Sequence, residues 1–404
     1  MTDIQSDAIG DEFHEAPDEA VATATATAEP PPTPGPSTKP PRLVSIDALR
    51  GFDMFWIIGG DSLARALCKW WATPEAAAIG EQFHHVEWEG FRFYDLIFPL
   101  FLFVVGAVIP FSLKKYQTGE HPRKFAVVRT VRRVALLLLL AFLYNHVQRW
   151  DFANLRYAGV LQRIAICYGI AAFIYMFTKT RGQVVAAVAI LLGYWALLGL
   201  VPAPETGIRG DYSKETNLSG WVDRHVLPGR IFQSYYGYGD NEGILSTVPA
   251  VATTLIGVLA GEWLLSSRGG GIKVVGLLAA GVVSVAAGYG WNPYFPIIKN
   301  LWTSSFVLVA GGFSMLLLGL FYLVIDVWRL RGWSFFFVVI GMNAITIYMA
   351  QSVIPFGEIR DFFLEGTLKL LSDPVVPIVA AVGTLAVKWL FLYHLYRTKT
   401  FLRV

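Results

Sequence analysis

Two imidazoles and two carboxylates stand just ahead of an apolar run, in Phe83-His84-His85-Val86-Glu87-Trp88-Glu89-Gly90. A histidine in a loop at the mouth of a membrane helix titrates near neutral pH and can act as a general base. Asp95, inside the following helix, is a candidate to orient it. A metal could also bind the two histidines and Glu87. However, neighbouring residues rarely converge on one ion, and no HxxxH or HExxH spacing is present, so we predict no metal.

Ionisable residues also lie on the first apolar segment, where lipid makes them costly. On an ideal helix, Asp47, Arg50, Asp61 and Arg65 fall within about 60° of one another. Such a stripe is either an ion-paired packing element or part of a functional path. Asp61, near the outer end, is the stronger functional candidate.

Two further sets of charges have more than one interpretation. Arg129, Arg132 and Arg133 share a helix face, either as an anchor at the cytoplasmic surface or as a clamp for the phosphates of a nucleotide-bearing ligand. Arg163 opens a later helix and could pair with Asp95, Asp61 or Glu242.

Aromatic and acidic side chains are mixed in the long connection between residues 202 and 243. They are Trp221, Asp223, Tyr235, Tyr236, Tyr238, Asp240, Asn241 and Glu242. Rings that stack on sugar faces and carboxylates that bind hydroxyl or ammonium groups are typical of a carbohydrate site. The same composition is typical of an aromatic belt at a membrane interface.

The elements that position these residues are predicted from hydropathy. The 404 residues are 54% hydrophobic and 16% charged, against roughly 25% charged in soluble domains. Ten apolar runs of about bilayer length are visible: 44–68, 93–113, 127–147, 158–178, 183–201, 244–265, 272–290, 301–327, 334–355 and 374–396. We therefore predict an all-α polytopic membrane bundle over residues 42–404. The net charge of +3 gives no reason to expect a nucleic-acid partner.

Residues 1–41 differ from the rest in being Pro-, Ala-, Thr- and acid-rich, which predicts a disordered cytoplasmic tail. Lys and Arg are concentrated in alternate connections, and the positive-inside rule then places both termini in the cytoplasm. The 65–92, 202–243 and 356–373 connections face outward in this topology. We predict a multi-pass protein of the inner membrane whose main solvent is the lipid bilayer.

Several stretches, taken together and in this order, resemble the heparan-α-glucosaminide N-acetyltransferase family and, more broadly, transmembrane acyltransferases. They are Arg42-Leu-Val-Ser-Ile-Asp47-Ala-Leu-Arg50-Gly51, His85-Val-Glu-Trp88-Glu-Gly90, Asp95-Leu-Ile-Phe-Pro-Leu-Phe-Leu-Phe-Val-Val-Gly106, Gly159-Val-Leu-Gln-Arg163, Asp223-Arg224, Glu242-Gly-Ile-Leu-Ser-Thr247, Lys299-Asn300-Leu-Trp302 and Gly341-Met-Asn343.

The resemblance implies that acetyl-CoA on the cytoplasmic side acetylates the amine of a glucosamine on the far side. The family's active-site histidine falls on His85. A family asparagine falls on Asp61, and an acid cannot donate a hydrogen bond to an oxyanion unless it is protonated. Asp61 would instead orient His85 or bind the substrate ammonium.

The remaining site assignments follow the motifs and the charges. Asp95, Arg163, Glu242 and Asn343 are predicted to bind the sugar, and Arg50, Arg132 and Arg133 to hold CoA.

Two other functions fit the sequence. One is a transporter of amino sugars or glycan fragments that uses the polar stripe as its path. The other is an O-acyltransferase that modifies a hydroxyl of a cell-envelope polysaccharide. A homodimer is compatible with each of these functions.

Overall fold

Backbone polar groups inside a lipid bilayer must be paired within the protein, which favours helices. The computed structural model describes residues 43–146, 155–231 and 236–402. The predicted tail, residues 1–41, and Tyr235 lie outside these ranges. Within them the chain is helical and forms no strands beyond two isolated bridges. The prediction of an all-α polytopic bundle is confirmed.

The helices run in chain order as follows: α1 (Val44–Phe55), α2 (Asp61–Trp71), α3 (Pro74–Glu81), α4 (Ile97–Ala107), α5 (Ile109–Gln117), α6 (Arg123–His146), α7 (Val160–Phe177), α8 (Thr180–Leu200), α9 (Leu218–Val226), α10 (Ile244–Leu265), α11 (Gly270–Trp291), α12 (Ser304–Phe321), α13 (Ser334–Met342), α14 (Ala344–Ala350), α15 (Phe356–Leu368) and α16 (Val376–Arg397). A short 3₁₀ segment, Phe93–Leu96, leads into α4.

Seven helical stretches in the described ranges are long and apolar enough to cross a membrane. They are Phe93–Gln117, Val160–Phe177, Thr180–Leu200, Ile244–Leu265, Gly270–Trp291, Ser304–Val327 and Val376–Arg397. The other three predicted runs are helical too, but each is interrupted or charged. The first is broken between α1 and α2, α6 carries five Lys and Arg residues in its first half, and Asn343 separates α13 from α14.

The first apolar run is not one regular helix. A π-helical segment, Trp56–Gly60, contains Gly59 at φ 135°, a value that only glycine adopts readily. Lys388 of α16 donates to the Ile58 carbonyl (2.7 Å) and to Gln351 Oε1 (3.1 Å), which stabilises the break. The polar stripe predicted on an ideal helix is therefore divided into two ion pairs, Asp47–Arg50 at 3.4 Å and Asp61–Arg65 at 2.7 Å.

Glycines bring two pairs of helices into backbone contact. A Cβ added to Gly257 of α10 would lie 2.0 Å from the Phe103 carbonyl oxygen of α4. One added to Gly341 of α13 would lie 2.0 Å from the Asp47 carbonyl oxygen of α1. Small residues at such crossings let membrane helices pack closely. These contacts fix α1 and α4, the two helices that lead into the candidate site.

Candidate active site

The loop that carries His85 follows α3 and has no regular structure. Two hydrogen bonds hold its backbone. The Arg65 guanidinium of α2 donates to the Phe83 carbonyl at 3.0 Å, and the Arg92 guanidinium donates to the His85 carbonyl at 3.2 Å. The His85 ring packs on Tyr94, with ring centroids 4.8 Å apart.

His85 and Asp95 form a hydrogen-bonded pair. Nδ1 of His85 lies 2.7 Å from Oδ1 of Asp95, whose side chain is fully buried. The other carboxylate oxygen accepts from the backbone N–H groups of Arg92 (3.1 Å) and Val86 (3.4 Å). An ionised carboxylate only accepts hydrogen bonds, so Nδ1 carries the proton and the lone pair is on Nε2. Asp95 therefore fixes the tautomer that a base at Nε2 requires.

Lys299 reaches this pair from the segment between α11 and α12. Its Nζ lies 2.9 Å from Nδ1 and 3.2 Å from Nε2 of His85, and 3.3 Å from Oδ1 of Asp95. An antiparallel bridge between Glu89 and Ile298 joins the two loops, and Gly90 N–H donates to the Ile297 carbonyl at 2.8 Å. These backbone hydrogen bonds hold the Lys299 segment next to the His85 loop.

Burial and charge act on both side chains. Burial lowers the pKa of His85 from its ordinary value, the hydrogen bond to Asp95 opposes this, and the charge of Lys299 lowers it further. Burial also lowers the pKa of Lys299, opposed by the charges of Asp95 and Glu242. A histidine with a lowered pKa is neutral at neutral pH, the state in which it can accept a proton.

The His85 ring lies on the wall of a cavity of about 870 Å³, within the size range of small-molecule sites. Lys299 and Trp302 line it from one segment, and Asn241 and Glu242 from another. Both polar side chains and aromatic rings line it, which suits a sugar with one apolar face.

Asp240, Asn241 and Glu242 form the turn that begins α10. Arg156 joins two of them, with Nη2 2.6 Å from Oδ1 of Asp240 and 2.6 Å from Oε2 of Glu242. Asp223 holds the turn from α9, accepting from the N–H groups of Asp240 (3.2 Å) and Ile244 (2.9 Å). Asn241 lines the cavity, and its Oδ1 is buried without a donor in the described part of the chain. That oxygen can accept a hydrogen bond from a ligand N–H or O–H group.

Asp61 does not contact His85 directly. Its carboxylate pairs with Arg65, and Arg65 in turn holds the Phe83 carbonyl two residues before His85. Asp61 is thus placed to orient the His85 loop through Arg65. Within the described ranges, no group of three or more His, Cys, Asp or Glu side chains is arranged to hold a metal ion.

Neither Arg163 nor Asn343 is among the described residues that line the cavity. Arg163 is buried; it donates to Ser246 Oγ, and its guanidinium lies 4.8 Å from the Trp302 ring centroid. It pairs directly with none of Asp95, Asp61 and Glu242, the partners considered from sequence. Asn343 is buried at the break between α13 and α14, and its amide nitrogen has no acceptor within the described residues.

The three arginines predicted to hold CoA lie on two helices. Arg50 pairs with Asp47 on α1. On α6, Arg132 is exposed, whereas Arg133 turns inward over the Tyr168 ring of α7 at 4.3 Å. Nε of Arg133 is buried without an acceptor in the part of the chain that the structure describes.

A small apolar space of about 20 Å³ adjoins the cavity. Ile57, Phe98, Val160 and Tyr348 line both, and the smaller space reaches Met54 and Ile164. Tyr348 stacks on Tyr144 at the cavity wall, with centroids 4.8 Å apart. Ile164 is one helical turn from Tyr168, the residue of α7 that contacts Arg133.

Sequence reasoning assigned no site role to Lys299 or Arg156. The available signal for Lys299 was its place at the start of Lys299-Asn300-Leu-Trp302, one of the stretches that carried the family resemblance. No comparable signal marked Arg156.

Comparison with known proteins confirms the resemblance. A family described as a domain of unknown function (DUF5009) matches residues 42–204. A heparan-α-glucosaminide N-acetyltransferase from Homo sapiens is 26% identical, with 91% of this chain and 61% of the relative covered. The Mus musculus protein of the same name is 25% identical, with 67% of this chain and 49% of the relative covered. The chain therefore spans between about half and three-fifths of the length of these relatives.

Proposed function

We propose that this protein is a membrane-bound acetyltransferase that moves an acetyl group from acetyl-CoA to the amine of a glucosamine-type sugar. The observation that carries the proposal is the His85–Asp95 pair on the wall of a sugar-sized cavity. The similarity to proteins named heparan-α-glucosaminide N-acetyltransferase supports the same chemistry.

His85 acts as the general base in this proposal. Asp95 keeps the proton on Nδ1, so Nε2 accepts a proton from the sugar amine as its nitrogen attacks the thioester carbonyl. The new C–N bond forms, the C–S bond breaks, and the thiol of CoA leaves with the proton that His85 returns. A two-step route in which His85 first carries the acetyl group is the alternative. We favour the direct route because amine and thioester react without an intermediate once they meet at one point.

The acceptor sugar is proposed to lie between His85 and the turn at the start of α10. Glu242 and the buried oxygen of Asn241 would accept hydrogen bonds from its hydroxyl or amine groups. Trp88 also lines the cavity and is held by its indole N–H, which donates to the Tyr212 carbonyl at 2.9 Å. A fixed ring of this kind provides a stacking surface for one sugar face.

The acetyl donor is proposed to enter from the opposite, arginine-rich end. The apolar side chains that line the small space would contact the uncharged arm of the thioester, for which this space, now large enough only for water, would have to open. The buried Nε of Arg133, which has no acceptor among the described residues, suits a phosphate or carbonyl oxygen. Arg132 and Arg50 would assist nearer the surface. In the orientation that we propose for the inner membrane, both termini and this end are cytoplasmic and the His85 end faces outward. A homodimer remains a prediction.

The test is an assay of purified protein with acetyl-CoA and glucosamine, read by mass spectrometry of the sugar. N-acetylated product and stoichiometric free CoA are expected. Glucose in place of glucosamine separates the alternatives, because an acetylated glucose would indicate an O-acyltransferase. Uptake of labelled glucosamine into proteoliposomes without acetylation would instead indicate a transporter and would contradict the proposal.

Glu242→Gln is expected to raise the KM for the acceptor about tenfold while changing kcat little. The substitution removes one charge-assisted hydrogen bond, and such bonds contribute about 1.5–3 kcal/mol. Because the bond is made in both ground and transition states, its loss affects binding more than turnover. Steady-state kinetics at saturating acetyl-CoA measure both constants. Glu87→Gln, at another cavity-lining acid, is the matched control, and an unchanged KM in Glu242→Gln would exclude this role.

A further inference from the structure

Lys299 contacts both members of the His85–Asp95 pair although it lies 214 residues away from His85 in the chain. Its Nζ is 2.9 Å and 3.2 Å from the two ring nitrogens and 3.3 Å from the Asp95 carboxylate. The neighbouring residues explain why it stays there. Ile298 is bridged to Glu89, and its N–H donates to Thr303 Oγ1 at 3.1 Å, the same hydroxyl that caps α12.

We propose that Lys299 is a positioning residue for the reaction: its ammonium fixes the His85 ring and keeps the imidazole neutral, as a base must be. The proposal rests on the function assigned above. Nζ acts on the ring through its charge, because a position 2.9 Å from Nδ1 and 3.2 Å from Nε2 does not lie along the in-plane lone pair of Nε2. That lone pair stays available to the entering amine of the acceptor.

The charges around His85 explain why a cation is needed there. Asp95 touches Nδ1 and favours the protonated imidazolium. Asp61 favours it too, from a greater distance and while paired with Arg65. Lys299 lies within contact distance of the ring nitrogens, and its positive charge opposes them. Glu242 and Asp95 in turn favour the charged form of Lys299, against the effect of burial.

Removing the charge of Lys299 should therefore raise the pKa of His85. Charges at contact distance shift a neighbour's pKa by about one unit or more. Since the base form exists only above this pKa, the acid limb of the activity profile should move to higher pH by the same amount.

The experiment measures the protonation of His85 without requiring turnover. Diethyl pyrocarbonate reacts with neutral imidazole, and the His85 side chain is 25% exposed. The modification rate of the His85 peptide, followed by mass spectrometry across pH, gives its midpoint. Lys299→Met should shift the midpoint up by about one pH unit. Lys299→Arg should leave it near the wild-type value. Lys214→Met, at another lysine that lines the cavity, should not move it.

An unchanged or lowered midpoint in Lys299→Met overturns the proposal. If that variant does not fold, Lys299→Gln, which keeps hydrogen-bond donors without the charge, is measured instead and judged by the same outcomes. The readout separates this inference from the proposed function. A midpoint shift in a protein that acetylates no sugar would retain the control of His85 by Lys299 and reject acetyl transfer. Acetylation of glucosamine by the wild-type protein, without a midpoint shift in the Lys299 variant, would retain acetyl transfer and reject the control of His85 by Lys299.

Discussion

His85→Ala is expected to reduce acetyl transfer to glucosamine by a large but measurable factor while the protein remains folded in the membrane. The side chain is the proposed base, and positioned proton transfer contributes about 10²–10⁴-fold to such reactions. The ring is partly exposed on a cavity wall, and the hydrogen bonds from Arg65 and Arg92 that hold its loop go to backbone carbonyls. Its removal therefore leaves the loop anchored. Product formation per mole of detergent-purified protein measures the effect.

His84→Ala is the matched control for His85→Ala. It removes an adjacent imidazole that lines the same cavity but is not paired with Asp95. Activity should survive in this variant, and size-exclusion profiles of the two variants should match. Full activity in His85→Ala, or equal losses in both, would reject His85 as the base.

Asp95→Asn should reduce kcat by up to about 10⁴-fold, the loss seen when the orienting acid of a histidine base is replaced by its amide. In the native site, Oδ2 accepts from the N–H groups of Arg92 and Val86. An asparagine carbonyl would keep those bonds, so its NH₂ group would face Nδ1 of His85. The imidazole would then have to accept at Nδ1 and carry its proton on Nε2. The base would be in the wrong tautomer although the shape of the site is unchanged.

A double-mutant cycle with His85→Ala tests this explanation. If Asp95 acts through His85, the double variant should be no less active than His85→Ala alone. Additive losses would show that Asp95 has a separate role. A drop in the thermal stability of Asp95→Asn large enough to unfold it would be detected by the same size-exclusion assay.

Much of the membrane architecture could be predicted from hydropathy, because lipid imposes one solution on long apolar runs. The break in the first run was not predicted, because an ideal helical wheel assumes the same rotation for every residue. Gly59 and Gly60 were a signal for it, but the π segment changes the rotation of every later residue. Asp61 and Arg65 form an i,i+4 pair within α2, as Asp47 and Arg50 form an i,i+3 pair within α1, and the ideal wheel does not give the angle between the two pairs.

The candidate site was predictable only where its residues are near in sequence. His85 and Asp95 are ten residues apart, and their pairing could be suggested from the order of loop and helix. Lys299 and Arg156 act across long sequence separations. Their positions depend on the Glu89–Ile298 bridge and on the turn at the start of α10. A single sequence carries no direct signal for such contacts.

The bridge between Glu89 and Ile298 also has a consequence for biosynthesis. A chain emerges from the ribosome at about 5–20 residues per second, so Lys299 follows His85 by about 10–40 s. During this interval the early helices can insert while His85 has Asp95 beside it but no lysine. The proposed base is therefore completed only when the segment before α12 arrives. A chain truncated before that segment would contain His85 and Asp95 but would lack Lys299, whose positive charge opposes the effect of Asp95 on the pKa of His85.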